Sequence, residues 1–392
     1  MASPKVGRGT TNGILVEKNS SQLMWHIAVM ITAFFRSERK SDADVNRYQA
    51  LKVLRAEPVL YDVLYKEVEI LKRVRDADPT HPGYEHVVHL INDFHVNSVF
   101  GTHIAMLFPV FGQTLQPSWT SMLPVRTLRE VMKQLLLALD YLHSKCGVIH
   151  TDIKGSNIML QIQDTHAINK QIACEPARAL ANVFLKNEIR QVVEIPISQS
   201  QPISVPIFGR KLKICLADFG TAEWASSTHQ TVILGKLLRP PEVVLNGCWD
   251  CTVDIWATGC FIVEMLDGSP LFQWKVTKNI IGEQHYLSTV TKQVGPVPLE
   301  LQSRCTRWRE FFNDKVLLRR PTTKVPSIRE RLVARHSEMS PLAADSLTAL
   351  VLQMMRPNPA HRCSAAEALR HEWFDLDLEE GAREISVGID EL

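Results

Sequence analysis

The chain has 392 residues, a formal net charge of +2, 45% hydrophobic residues and 22% charged residues. These proportions are ordinary for a globular protein, the length suits two domains or one two-lobed domain, and the near-neutral charge excludes an electrostatic case for nucleic acid as the main partner. The eight cysteines show no paired spacing, which suits a reducing compartment, cytoplasmic or nuclear; the lone Cys248-Trp249-Asp250-Cys251 motif has no second pair and reads as two unrelated thiols rather than a zinc site.

Residues 1–45 carry little pattern. The apolar run from Leu23 to Phe35 contains His26, falls short of the roughly 20 residues a spanning helix needs and lacks the flanks of a secretory signal, so no membrane partner is expected. Gly7, Gly9 and Gly13 form a loose cluster that does not complete Gly-x-Gly-x-x-Gly, because position 12 is Asn, and it reads as a flexible terminus. From Tyr48 to Leu54 the residues alternate as in a strand, with Lys52 inside it. A charged side chain in a half-buried strand needs a partner, and the helical pattern from Val63 to Leu71 offers Glu67, with Glu69 facing elsewhere. Such a pair would aim an ammonium at nucleotide phosphates; the plain alternative is a solvated ion pair. Val87–Leu90 and Gly101–Phe108 read as further strands of a small sheet. Pro109-Val110-Phe111-Gly112 then breaks the pattern, as a link between lobes would. Pro109 has a carbonyl but no N–H, so it can accept from an adenine amine while the Phe111 N–H donates, with Phe108 walling the pocket.

The spacing predicts a helix over 127–146, with Leu128, Val131, Leu135, Leu139 and Leu142 on one face and Gly147 after its end. It leads into the most informative stretch, His150-x-Asp152-x-Lys154-x-x-Asn157, set between the β-type runs Val148-Ile149 and Ile158-Met159-Leu160. An Asp can orient or deprotonate a hydroxyl, a Lys can neutralise a transferring phosphoryl group and an Asn can hold a metal ion. A polar β-turn is the plain alternative, disfavoured because so many positions match together.

Residues 161–212 are polar and mixed, with a helix expected near 176–189, and read as an insertion; a run this long is usually functional or mobile. Leu212–Ala217 reads as a strand ending in Asp218-Phe219-Gly220, where Asp218 suits metal coordination. Residues 221–240 read as a mobile segment running to Arg239-Pro240-Pro241-Glu242. Val253–Leu266 is an almost wholly apolar helix, so Asp254 at its start must be satisfied, and the backbone N–H groups of the 148–160 loop are the expected donors. Ser340-Pro341 opens a helix running to Met355, Ser364-Ala365-Ala366-Glu367 is a capping box, and Arg362 is the expected partner of Glu242. The tail after Asp375 is acidic and reads as solvated.

Taken in order, Ala50-x-Lys52, Glu67, His150-x-Asp152-x-Lys154-x-x-Asn157, Asp218-Phe219-Gly220, Pro241-Glu242, Asp254-x-Trp256-x-x-Gly259 and Arg362 resemble the eukaryotic protein kinase family over residues 46–375. Within it the chain looks most like the SR-protein kinases (SRPK), which phosphorylate serines in Arg/Ser-rich proteins. The narrower likeness rests on Thr151 in place of the usual Arg, on Asn92-Asp93-Phe94 with Gly101-Thr102-His103-Ile104, and on the spacer between Leu160 and Asp218. The resemblance implies an α+β bilobal fold: a small β-rich N-lobe (46–108), a hinge (109–112) and a larger helical C-lobe (113–375) with the spacer insertion 161–212. An atypical segment 1–45 precedes it and an acidic tail 376–392 follows. It implies a protein serine/threonine kinase using ATP and Mg2+, acting on protein substrates of the Arg/Ser-rich kind, with no direct nucleic-acid partner. By the same resemblance Asp152 is the catalytic base and Lys154 steadies the γ-phosphate. Asn157 and Asp218 hold magnesium, and Lys52, paired with Glu67, positions the α- and β-phosphates. The usual Arg at position 151 reads a phosphate on the activation segment; Thr cannot, so activity independent of that phosphorylation is expected.

The chain departs from the family pattern in two places. The glycine-rich loop is missing just before Lys52, which implies weaker ATP binding and slower transfer. Segment 231–242, TVILGKLLRPPE, departs from the usual Tyr-Arg form where substrate would dock. Two other functions stay open: a catalytically weak or inactive kinase-fold scaffold, and a small-molecule phosphotransferase of related fold. The absent glycine loop speaks for the scaffold, while Lys52, Asp152 and Asp218 speak against it. The phosphotransferase would lack the Pro241-Glu242, Asp254-x-Trp256 and Arg362 set.

Overall fold

A computed structural model describes residues 49–54, 61–98, 101–116, 123–162, 168, 179–186, 192–198, 205, 212–276, 282–313, 326–337 and 339–376, with the paired dipeptides Val16–Glu17 and Met30–Ile31. The chain divides into two compact units, one drawn from residues 1–76, 88–113 and 160–211, the other from 77–87, 114–159 and 212–392. The glycine cluster, most of the Leu23–Phe35 run and the acidic tail lie outside the described residues.

Among the described residues, the first unit holds a three-stranded antiparallel sheet and a long helix. Strand β1 (Gln49–Val53), helix α1 (Tyr61–Asp76), strand β2 (Asn92–Ser98) and strand β3 (Gly101–Pro109) follow one another, and β3 lies between β1 and β2. The register sets Lys52 opposite Met106 and closes the β2–β3 hairpin at Ser98–Gly101. On α1 the buried residues Val68, Ile70, Leu71 and Val74 form one apolar stripe, and Glu67 is buried beside them. Asp62 in its first turn and Arg73 and Arg75 in its last complement the helix dipole.

Two expectations need correcting. Val87–Leu90 forms no strand: Val87, Val88 and Leu90 are buried, and apart from a single bridge at Val87 the run makes no ladder. The strand begins at Asn92, and because it is an exposed edge strand it has almost no burial periodicity to betray it. The helix expected near 176–189 is instead a strand, Ala179–Lys186, paired antiparallel with Val192–Ser198. The register sets Val183 opposite Ile195 and Phe184 opposite Glu194, and cross-strand pairing overrides a weak local helical pattern. The same stretch of chain is tied down at Val205, whose peptide group exchanges two hydrogen bonds with the Gln113 amide, 2.7 and 2.5 Å.

The second unit is mainly helical. Helix α2 (Val125–Asp140) buries Leu128, Val131, Leu135 and Leu139 completely, as the spacing requires. It continues as a π-turn, Tyr141–Cys146, and stops at Gly147, whose φ of 65° only glycine adopts readily. Val148–Ile149 then pairs with Glu223–Trp224. Helix α3 (Thr252–Asp267) is buried on nearly every face, as befits its composition. Helix α4 (Gly282–Val294) and helix α5 (Pro341–Met354) follow, α5 capped by the Ser340 hydroxyl accepting from the Ala343 N–H at 3.2 Å. The close approach of α3 to the end of α5 depends on Gly259, where a Cβ would stand 2.6 Å from Met355 Cγ, and the Cys260 thiol meets the Met355 sulfur at 3.8 Å. The Ser364–Glu367 capping box forms as expected. Among the described residues no helix is long and apolar enough to cross a membrane.

Candidate active site

Lys52 and Glu67 meet in the first unit. Strand β1 presents the ammonium, α1 presents the carboxylate, and Lys52 Nζ donates to Glu67 Oε1 at 2.6 Å, with side chains only 12% and 6% exposed. A carboxylate buried on an apolar helix stripe is stable only with such a partner; Glu69, two positions on, is exposed. Pro109 ends β3 and Phe111 opens the next strand, Phe111–Thr114; both residues belong to the first unit.

In the second unit the 148–160 loop is built on one carboxylate. Asp254, fully buried at the start of α3, accepts the backbone N–H of His150 at its Oδ2 and that of Thr151 at its Oδ1, both at 2.8 Å. This is the anchoring expected from the sequence. His143, on the π-turn, adds a third contact from Nε2 to Asp254 Oδ2 at 2.9 Å. Sequence reasoning passed over His143; its place in the last turn before Gly147, directly ahead of the loop, was the available signal. His150 is buried against the Phe219 ring at 5.0 Å, and its Nε2 donates to the Ala217 carbonyl at 3.0 Å. Thr151 has φ 65°, unusual for a β-branched residue, and its hydroxyl meets the Thr221 carbonyl at 2.7 Å and the Thr221 hydroxyl at 3.0 Å. Thr221 also went unpredicted.

On this frame Asp152, Lys154 and Asn157 converge. Lys154 Nζ donates to Asp152 Oδ2 at 2.7 Å, and Asn157 Nδ2 donates to the same oxygen at 2.9 Å and to the Asp152 carbonyl at 2.9 Å. The Asn157 carbonyl in turn accepts the Ala217 N–H at 2.8 Å, which brings the backbone just ahead of Asp218 against the loop. Asp218 is exposed and has φ 67°. With its amide nitrogen turned to Asp152, Asn157 has its amide oxygen left over as a donor to a cation, and Asp218 supplies a carboxylate. Oxygen donors of this kind fit a hard divalent ion such as magnesium.

The second unit also holds a buried ion pair. Arg362 holds Glu242 bidentately, at 2.9 and 3.2 Å, with side chains 0% and 1% exposed. Arg362 also donates to the Thr252 carbonyl at 3.0 Å and lies over the Trp256 ring at 5.2 Å. Residues 221–240, read as mobile from sequence, run out to this pair through defined contacts: Arg239 donates to the Ile233 and Leu234 carbonyls, both at 3.1 Å, and burial pushes its pKa down. Cys248 is exposed and Cys251 half-buried, both free thiols.

Comparison with known proteins settles the family, for the protein kinase domain matches residues 38–173 and 201–374. The chain belongs to the protein kinase family. Among its relatives is a serine/threonine-protein kinase SRPK of Physarum polycephalum, 26% identical, with 84% of this chain and 80% of that protein covered. SRSF protein kinase 3 of Mus musculus is 23% identical, covering 85% and 83%, and a serine/threonine protein kinase of Aspergillus fumigatus is 28% identical, covering 85% and 79%. The protein is a serine/threonine protein kinase, similar over most of its length to kinases named SRPK and SRSF protein kinase, with the α+β kinase fold and ATP as its substrate. Neither the inactive scaffold nor the small-molecule phosphotransferase finds support in these matches.

Proposed function

We propose that this kinase transfers the γ-phosphate of ATP to serine or threonine hydroxyls in Arg/Ser-rich proteins, with Asp152 as the base. The carrying observation is the carboxylate itself: Lys154 and Asn157 both occupy Oδ2, which fixes the group and leaves Oδ1 to take the proton of an incoming hydroxyl. Lys154 neutralises charge on the transferring group, and Lys52, held by Glu67, positions the α- and β-phosphates. Pro109 and Phe111 offer a backbone acceptor and donor to the adenine. Asn157 and Asp218 would hold a magnesium ion, which supplies neutralisation of phosphate charge. The substrate class is carried over from the relatives named SRPK and SRSF protein kinase. The free thiols suit a cytoplasmic or nuclear setting.

At position 151 the hydroxyl is spent on Thr221 and no guanidinium is present to read a phosphate. Activity is therefore independent of activation-segment phosphorylation. The test is phosphate transfer to an Arg/Ser-rich peptide by wild type, by phosphatase-treated wild type and by Asp152→Ala. Equal turnover is expected for the first two samples and a fall of about 10²–10⁴ for the variant. Loss of activity on phosphatase treatment sinks the claim of independence, and an Asp152→Ala variant as fast as wild type sinks the assignment of the base.

A further inference from the structure

Much of the activation segment lies at the surface, with Ala225–Thr228 and Gln230–Val232 exposed. His229 is different. It is 7% exposed, and its ring stacks on that of Trp249, itself 5% exposed, with centroids 4.3 Å apart and planes 12° from parallel. The backbones join as well: the Trp249 N–H donates to the His229 carbonyl at 3.2 Å, and the Trp249 indole Nε1–H donates to the Thr231 carbonyl at 2.9 Å. His229 Nε2 must carry its proton, because it meets the Trp224 carbonyl at 2.8 Å and a carbonyl only accepts.

Both ends of this brace are fixed. Trp224 pairs with Val148, two residues ahead of His150. On the other side Asp250 Oδ1 accepts the Thr252 N–H at 2.9 Å, at the start of α3, and the Asn246 carbonyl accepts Gln230 Nε2 at 3.2 Å. The ring pair thus spans from the strand that carries the catalytic loop to the root of the helix that anchors it.

We infer that His229 and Trp249 are a positioning pair, holding the peptide-receiving segment in its working place by stacking and hydrogen bonding where Thr151 offers no ionic alternative. The inference rests on the kinase reading above. Offset or parallel aromatic stacking plus a buried indole hydrogen bond is enough to shift the segment's equilibrium by about 10- to 100-fold.

The test compares wild type with Trp249→Leu, Trp249→Phe and His229→Leu, each checked for folding by thermal melting. Trp249→Leu is expected to lose about 10- to 100-fold in kcat/KM for an Arg/Ser-rich peptide while KM for ATP stays within about twofold. Trp249→Phe keeps the stack and loses only the indole bond, so it is expected to stay within about fivefold of wild type. A tryptophan that merely fills space would not split the peptide constant from the ATP constant. Wild-type constants in Trp249→Leu, or equal losses for both substrates, overturn the pair; should Trp249→Leu fail to fold, His229→Leu is judged by the same split. Hydrogen exchange over 224–232 reads the pair without turnover. Unchanged protection in the variants overturns it even if wild type transfers nothing, a result that would by itself count against the kinase reading.

Discussion

Asp152 shows how much of an active site can depend on where two donors point. Asn157 serves it twice, through the carboxylate and through the carbonyl, and keeps an amide oxygen in reserve. Asn157→Ala therefore removes a cation donor and loosens the base at once. Its half-saturating magnesium concentration is expected to rise about 10- to 100-fold in a transfer assay titrated with the metal. Thr151 carries a cost that residue type alone does not reveal: a β-branched side chain at φ 65° is strained by about 1–3 kcal/mol, offset here by two contacts to Thr221 and by the Asp254 carboxylate on its N–H.

At the scale of elements, charged pairs hold the helices together. Arg307 grips Glu283 of α4 through two bonds, 2.9 and 2.8 Å, and Glu310 through the other edge of its guanidinium. The Arg307 hydrogen bond holds the Glu283 carboxyl below its ordinary 4.5. A carboxyl depressed on folding stabilises the fold fully above its unfolded value and loses that contribution as pH falls through the lower folded one. Denaturant midpoints of wild type should thus drop between pH 5 and pH 3, and the wild-type advantage over Arg307→Ala should shrink across the same interval. Equal pH profiles would refute this. The Glu242–Arg362 pair is different, because it is sealed from water. Arg362→Met leaves Glu242 as an uncompensated buried charge and is expected to lower unfolding stability by about 3–5 kcal/mol, read from chemical denaturation. Elements of this kind were open to sequence reasoning wherever one residue had an obligatory need. Asp254 in an apolar helix had to find donors, Glu67 on a buried stripe had to find a cation, and Ser364 with Glu367 spelled out a cap. The Asn92–Ser98 edge strand and the Ala179–Ser198 hairpin had no such signature. Their stability comes from cross-strand partners, and a single segment does not display its partner.

Across the whole molecule, the second unit's catalytic loop could be read from the order of its polar residues, because chemistry constrains types and spacing together. Thr221 and the His229–Trp249 stack could not, since each serves by meeting a residue far along the chain, and His143 offered only its place directly ahead of the loop. The contact between α3 and the end of α5 belongs to the same class. Met355 is fully buried, pressed against Gly259 and the Cys260 thiol. A thioether sealed in this way is out of reach of peroxide while the helices stay docked, and a sulfoxide would be too bulky and too polar to return to the site. Mild peroxide should oxidise Met355 only in molecules that have opened globally, so a mass increase at that residue, measured by peptide mass spectrometry across a denaturant series, is expected to follow the unfolding curve. Once oxidised, a molecule should not regain the native packing. Met355 would then act as a fuse, converting a transient opening into permanent retirement of that copy of the enzyme.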